Sequence, residues 1–545
     1  VPGEIIVKLR SGALSAAGTG AVSGLIDRVC GENGAQEIRP LFSRTAQPRI
    51  AAIAADHGID RTFVVKLLPG HDVNSAIAAL EASGDVEYAE RNLRVKLAGV
   101  QPNDPEFRWQ WALLNWGYPI DGFLPTPGAD IHVQDAWAIT TGSPSVIVAV
   151  TDTGCDITHP DLAGNIYTNP GEIAGNGIDD DHNGYVDDVH GFNVADHNGD
   201  VTDVVGHGTQ ISGIIAGILN NQIGISGVCQ CKILPVKFFR QTGPDPSDVE
   251  GTVADAAAAI VYSIAAGASI INASWTTLLV PGDVGPTEGQ ALKDACAAAR
   301  DADVLMVCIA GNDGFNLDYS PVYPAAYKMP NQIVVAASDY NDEIWHIIGA
   351  PYEIRTGFGP STVHLAAPGV SILTTQARGS CTLCSSSTNP DDWYTTMDGS
   401  SASAGFVSGV AALVKSRYPE ANGPVLKQRV VAGVDVLDSL KAYVISSGRL
   451  NAYGALTAQL SVTPPVLRKV KYKPGSETLL LVAQGGQRGA FAVVAGTRYS
   501  TTATDSGISR LTATVPSAAF PAGVSVSVTL LNPDVGVSQE IDVIR

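Results

Sequence analysis

The sequence predicts an α/β protein: a parallel sheet with helices on both faces, preceded by a small α+β unit and followed by a β-sandwich. Three observations carry this. Short β-branched runs alternate with Ala-rich helical stretches through the middle of the chain, a strand–helix–strand pattern precedes them, and short strands between Gly- and Pro-containing turns follow them. The chain has 545 residues, and single cores stop growing at about 250–300. Three segments are therefore expected: residues 1–100, 101–462 and 466–545.

In the first segment, strands are predicted at 4–9 and 86–90 and a helix over 75–81. The Ala/Gly/Ser-rich stretch 11–23 predicts a flexible insertion. In the second, strands are predicted at 146–150, 232–236, 269–272, 304–307 and 332–335, with helices over 254–266 and 290–300. These strands are apolar throughout rather than alternating, as in a sheet covered on both faces. Ligands of such sheets gather beyond the carboxyl ends of the strands. Asp152, Ser274 and Asn312 each closely follow a strand run, so distant positions converge on one edge. After the stiff linker Thr463-Pro464-Pro465, strands at 477–482, 511–515 and 524–530 have the spacing of a sandwich, Ig-like in broad type.

The net charge of −20 argues against nucleic acid and anionic membrane surfaces as partners and favours cation binding. No apolar run approaches the roughly 20 residues a membrane span requires. Val1-Pro2-Gly3-Glu4 lacks the charged and apolar regions of a signal peptide, so any such signal is expected to have been removed. The eight cysteines are Cys30, Cys155, Cys229, Cys231, Cys296, Cys308, Cys381 and Cys384. Cys381-Thr382-Leu383-Cys384 has no second CxxC or HxxxH partner, so a local disulfide fits it better than zinc. Cys296 and Cys308 sit in apolar helix and strand patterns that predict buried free thiols.

Asp152-Thr153-Gly154, Gly206-His207-Gly208-Thr209 and Gly399-Ser400-Ser401 follow one another along the chain. A serine hydroxyl is a poor nucleophile until an imidazole removes its proton, and a buried carboxylate fixes that imidazole's tautomer and stabilises its cation. Small and apolar residues at helical spacing follow both His207 and Ser401, so both are predicted at helix N-termini, with a positive dipole end beside a developing oxyanion. The order Asp, His, Ser is that of subtilisin, not of chymotrypsin or the α/β-hydrolases. From about residue 101 to 456 the chain resembles the subtilisin-like serine peptidase family.

That resemblance implies a subtilisin-like fold and an endopeptidase acting on polypeptides. It selects Ser401 over Ser400 and Ser403, because the family pattern is Gly, then Thr or Ser, then the reactive Ser. Ala402 stands where the family usually has Met and Gly405 where it usually has Pro, which bears on the packing behind Ser401. Asn312, in Ala310-Gly311-Asn312, matches the oxyanion-hole asparagine. Ser274-Trp275-Thr276 matches the strand that pairs with an extended substrate backbone, with Thr276 where Gly is usual. No acidic cluster matches the pocket of basic-specific relatives, which implies an apolar or small residue before the scissile bond. Residues 1–100 resemble the family's inhibitory propeptide. A self-inhibited zymogen is implied, cut between about residues 97 and 101, since Pro102 disfavours cleavage immediately before it.

Asp179, Asp181, Asn183 and Asp187 occupy the first, third, fifth and ninth places of a loop with Gly184 at the sixth, as at the start of an EF-hand. Tyr185 and Asp188 complete the candidate calcium set. The twelfth place is His190 rather than Glu, so a loop without helix-loop-helix architecture is expected. A second calcium site is implied by the resemblance alone, at Asp161, Leu219, Asn221, Ile223 and Ile225, with Asp104 a weaker candidate. The expectation is a secreted, calcium-stabilised peptidase. The alternatives are a catalytically impaired peptide-binding relative and an adhesion protein acting through its C-terminal domain.

Overall fold

The computed structural model describes residues 3–544 apart from 12–18, 31–33, 42–47, 69–70, 93–100, 121, 244–247, 278–288, 348–349, 379–389, 461–465, 485–490, 496, 504–509 and 532–540. Cys381, Cys384, the linker Thr463-Pro464-Pro465 and the expected cleavage segment up to Val100 lie outside the described residues. Val1–Ala98 and Gly99–Arg545 form two units.

In the first unit, β1 (Glu4–Leu9), β2 (Ala35–Pro40), β3 (Thr62–Leu67) and β4 (Val86–Arg91) make an antiparallel sheet in the order β2-β3-β1-β4. Alternation puts Ile5, Val7 and Leu9 on one face, where they share a core with α1 (Thr19–Cys30) and α3 (Val73–Ala82), while α2 (Pro48–Asp56) connects β2 to β3. The stretch expected to be flexible is thus helical from Thr19 onward. Val22, Leu25 and Ile26 are buried at i, i+3 and i+4, and tertiary burial of that stripe outweighs the loop-like composition around it.

The second unit is built on nine strands: β5 (Ile147–Asp152), β6 (Phe192–Asn193), β7 (Lys232–Lys237), β8 (Ile270–Ala273), β9 (Leu305–Ile309), β10 (Gln332–Ser338), β11 (Leu365–Pro368), β12 (Asp435–Val436) and β13 (Gly448–Arg449), in the order β12-β13-β11-β10-β9-β8-β5-β7-β6. Only β12 runs antiparallel to its neighbour. Alternate residues feed opposite cores. Val148, Val150, Ile270, Leu305 and Val307 face α4 (His207–Ala216) and α7 (Ser400–Arg417); Ala149, Ile271, Met306 and Cys308 face α5 (Val253–Ala265) and α6 (Gln290–Asp301). Helices on both faces explain why these strands lack a polar side. A further helix, α8 (Gly423–Ala432), packs beside α7.

Beyond residue 465, strands Val466–Lys473, Thr478–Gln484, Arg510–Thr514 and Thr502–Ala503 form one antiparallel sheet, and Thr497–Ser500, Phe491–Val494, Ser525–Leu531 and Ile541–Ile544 another. Leu479, Leu481 and Leu511 of the first share a core with Ala492, Val528 and Leu530 of the second.

Candidate active site

Asp152 ends β5, His207 opens α4, and Ser401 is the second residue of α7. Ser274 directly follows β8, and Asn312 lies three residues beyond β9. The chain lays β6 and β7 on one side of β5 and then β8 on the other. Such a reversal opens a crevice at the carboxyl ends of the strands.

His207 Nδ1 lies 2.8 and 3.0 Å from the two carboxylate oxygens of Asp152. The Asp152 side chain is 2% exposed and that of His207 27%, so the carboxylate is sealed behind an imidazole that solvent still reaches. An Nδ1–H held by a carboxylate leaves Nε2 free to accept a proton. Burial alone would lower the His207 pKa, but the charge and hydrogen bond of Asp152, with the charge of Asp203, outweigh it and raise the value. A Cβ on Gly208 would sit 2.1 Å from the Gly154 carbonyl oxygen and 3.1 Å from Asp152 Cβ. Only glycine lets α4 start this close to the end of β5.

Three serines compete at the start of α7. The Ser400 hydroxyl bonds to Asn312 Oδ1 at 2.8 Å and the Gly311 carbonyl oxygen at 3.2 Å. That of Ser403 donates to the carbonyl oxygens of Ala367 and Pro368 at 2.9 and 3.1 Å. Both residues are fully buried, whereas Ser401 is 6% exposed and its hydroxyl makes one long bond, 3.4 Å to the Ser274 carbonyl oxygen.

The Ser400 amide N–H reaches Asn312 Oδ1 at 2.9 Å. A backbone N–H can only donate, so this atom is the carbonyl oxygen and the NH2 group faces the other way. It faces the space a side chain at residue 399 would take: a Cβ on Gly399, at φ 139°, would lie 3.0 Å from Asn312 Nδ2. Among the described residues no acceptor meets that NH2 group.

Trp275 is buried edge-on against Phe238 at 5.2 Å, and its Nε1 donates to Thr151 Oγ1 at 3.0 Å. Its side chain is thus committed to the core. Thr276 beside it is half-buried, and Thr277 is paired with Tyr323 through both backbone N–H groups. Ala310 donates its amide to Val335, and the Gly311 carbonyl accepts from Gly357 at 2.7 Å.

A model of the subtilase family matches residues 143–454, which contain all these positions. The chain belongs to the subtilase family. It is 29% identical over 387 residues to a thermophilic serine proteinase of Bacillus sp. (strain AK1), covering 71% of this chain and 76% of that protein. It is 30% identical over 330 residues to thermitase of Thermoactinomyces vulgaris, covering 60% and 93% respectively. It is 30% identical over 379 residues to the halolysin-like extracellular serine protease Nep of Natrialba magadii, covering 70% of this chain and 56% of that one.

Residues 171–190 of this subtilase are turns and bends without a flanking helix. Carboxylate oxygens of Glu172, Asp179 and Asp181 come within 4.8 Å of one another. Asn183 lies against them, its amide donating to Asp179 and Asp181 at 3.0 Å. Two other residues singled out from the sequence point elsewhere. Asp187 accepts the amides of Asn176 and Gly177, and Asp188 is buried against Asn169, Asn183 and Tyr262. The Tyr185 ring packs edge-on against Tyr262 and Phe192. Sequence spacing missed Glu172. Its carboxylate also accepts the amides of Asp180, Asp181 and Asp187.

Asp161 is fully buried and accepts Asn221 Nδ2 at 2.7 Å and the Ile225 amide at 2.9 Å. Burial pushes its carboxyl up to about 7 against these bonds. Asp104 accepts the amides of Asn220 and Asn221 and the Ser226 hydroxyl. Among the described residues no donor reaches the carbonyl oxygens of Leu219, Ile223 or Ile225.

Cys155, Cys229, Cys231, Cys296 and Cys308 are buried free thiols. No helix among the described residues is long and apolar enough to cross a membrane.

Proposed function

We propose that this subtilase hydrolyses polypeptides through Asp152, His207 and Ser401, with Asn312 as oxyanion donor. The observation that carries the reading is the Asp152–His207 bond, and the Asn312 NH2 group, which no acceptor among the described residues meets, adds to it. His207 Nε2 takes the Ser401 proton as Oγ attacks the scissile carbonyl carbon. The oxygen that becomes anionic accepts from Asn312 Nδ2 and the Ser401 amide, a first-turn donor with no acceptor among the described residues. His207 then returns the proton to the leaving amine, and water cleaves the acyl-enzyme by the same relay. The backbone of Ser274–Thr276 pairs with the substrate strand, and Ala310 and Gly311 border it. Ser401→Ala should abolish hydrolysis and labelling by a fluorophosphonate while the fold persists. Activity retained in Ser401→Ala and lost in Ser400→Ala would overturn the assignment.

The donor sets of the two acidic loops fit calcium, a hard cation that takes six to eight oxygens. Glu172, Asp179, Asp181 and Asn183 would hold one ion; Asp161, Asn221 and the carbonyls of Leu219, Ile223 and Ile225 would hold the other. Bound calcium would supply the positive charge that the buried Asp161 lacks.

Residues 1–100 act in this reading as an intramolecular inhibitor that the enzyme removes itself. Their support is an independent core on a four-stranded sheet and the family resemblance of its strands. N-terminal sequencing of the wild type and Ser401→Ala after incubation tests this: equal processing in both would assign the cut to another protease. Secretion is inferred from the negative net charge and from the extracellular relative Nep. Neither a purely binding relative nor an adhesion role is favoured, since the subtilase match spans the positions of Asp152, His207, Asn312 and Ser401 and the Asp152–His207 bond is formed.

A further inference from the structure

Asp203 stands four residues before His207, is 5% exposed and accepts five hydrogen bonds. Its Oδ1 takes the Thr153 hydroxyl at 2.8 Å and the amides of Val205 and Gly206 at 3.0 and 2.7 Å. Its Oδ2 takes the amide and hydroxyl of Thr209 at 2.9 and 2.6 Å. Three of these donors are backbone N–H groups that cannot reverse, so both side-chain oxygens act as acceptors. Among the described residues no lysine or arginine bonds to it; Lys237, a cation nearby, donates instead to the Thr202 carbonyl oxygen.

These bonds close a ring around the Asp152–His207 pair. Thr153 Oγ1, besides donating to Asp203, accepts the Gly208 amide at 3.0 Å. The Thr153 amide donates to Asp152 Oδ1 at 2.8 Å. One carboxylate thus grips the residue after Asp152 and the residues flanking His207 on both sides. Besides the imidazole, the Gly208–Thr153 bond and the Asp156 amide on Thr209 Oγ1 at 2.9 Å also join the end of β5 to the start of α4, and Asp203 braces both threonines.

We propose that Asp203 is the positioning residue of the Asp152–His207 pair: acting through Thr153, Gly206 and Thr209, it sets the distance and orientation of imidazole and carboxylate and adds a second fixed negative charge behind the imidazole. The proposal rests on the reading of that pair as catalytic. Asp203 touches neither substrate nor reacting atoms in it. A misplacement of about 1 Å costs on the order of 10²-fold in rate, so a clamp of this kind acts on kcat, not on substrate affinity. The other ionisable groups around the ring are Asp196 and Asp200 near Lys237, Asp156 paired with Arg378, and Cys155, a buried thiol whose pKa burial drives far up.

The test compares Asp203→Asn, Thr153→Val, Thr153→Ser and Asp152→Asn in the full chain, reading kcat, KM, the pH profile of kcat/KM and the melting temperature on a peptide substrate. Thr153→Val keeps the volume and the Asp203 charge but cuts the link. It should lower kcat roughly 10- to 100-fold with KM unchanged, and Thr153→Ser should restore it. Asp203→Asn should lower kcat similarly and also move the acid limb to lower pH, because a negative charge near His207 is gone. Wild-type kcat and acid limb in both Thr153→Val and Asp203→Asn, whatever their melting temperatures, would reduce Asp203 to a structural residue. If Asp203→Asn fails to fold, Thr153→Val decides alone by the same criterion. Asp152→Asn separates the two claims: full activity there sinks the catalytic pair, whereas its loss by roughly 10⁴-fold alongside unaffected Thr153→Val and Asp203→Asn sinks only the positioning role.

Discussion

Ser400 donates both its backbone N–H and its hydroxyl to one oxygen of Asn312, at 2.9 and 2.8 Å. The residue before the proposed nucleophile therefore orients the amide proposed to stabilise the oxyanion. The two functions are locked together at the start of one helix.

Asn312→Ala should lower kcat by about 10²–10³, a magnitude carried over from a subtilisin rather than derived from this geometry. KM should change less, because the contact strengthens mainly in the transition state. Steady-state kinetics on a peptide substrate check this, and an effect confined to KM would remove Asn312 from the role.

Ser400→Ala removes one of two bonds to Asn312 Oδ1 and leaves the backbone one. Its kcat should fall by less than that of Asn312→Ala, with fluorophosphonate labelling retained, and Ser400→Thr should stay near wild type. Loss as deep as in Asn312→Ala would show that the hydroxyl alone holds the amide.

Hydrolysis needs neutral His207, so kcat/KM should rise with pH through a value above that of an ordinary histidine, the direction in which Asp152 and Asp203 outweigh burial. Stability runs the other way. A raised folded pKa contributes fully below the unfolded value and is lost as pH climbs through the folded one. A pH–rate profile with its acid midpoint below the ordinary histidine value would contradict the electrostatics described.

Glu172→Gln should reduce the rise in melting temperature on adding calcium. Binding to the native state alone adds RT ln(1 + [L]/Kd), about 2.7 kcal/mol at a hundredfold excess over Kd. Asp187→Asn, whose carboxylate serves the amides of Asn176 and Gly177, should lower stability with and without calcium alike. Melting curves in calcium and in chelator decide, and equal calcium increments in Glu172→Gln and wild type would exclude Glu172 as a ligand.

The central sheet was legible because its strands carry a strong local signal, a continuous apolar run that two helical layers require. The N-terminal unit was less so. α1 begins inside a stretch of Ala, Gly and Ser, and the stripe Val22, Leu25, Ile26 is too short to stand out from it. β2, β3, Val466–Lys473 and Phe491–Val494 also stay illegible in the sequence, because their residues become strand-like only once their pairing partners are in place.

The sequence by itself determined which residues stand at strand ends and helix starts, since Asp152-Thr153-Gly154, Gly206-His207-Gly208 and Gly399-Ser400-Ser401 are local patterns of turn chemistry and apolar period. Only the tertiary structure decided what those residues share. That Glu172 joins Asp179 and Asp181 while Asp187 turns away, that Ser400 orients Asn312 across 88 positions, and that Asp203 binds Thr153 across 50 are facts of hydrogen-bond direction. A hydrogen bond depends on distance and angle within a few tenths of an ångström, and chain packing, not sequence spacing, sets both.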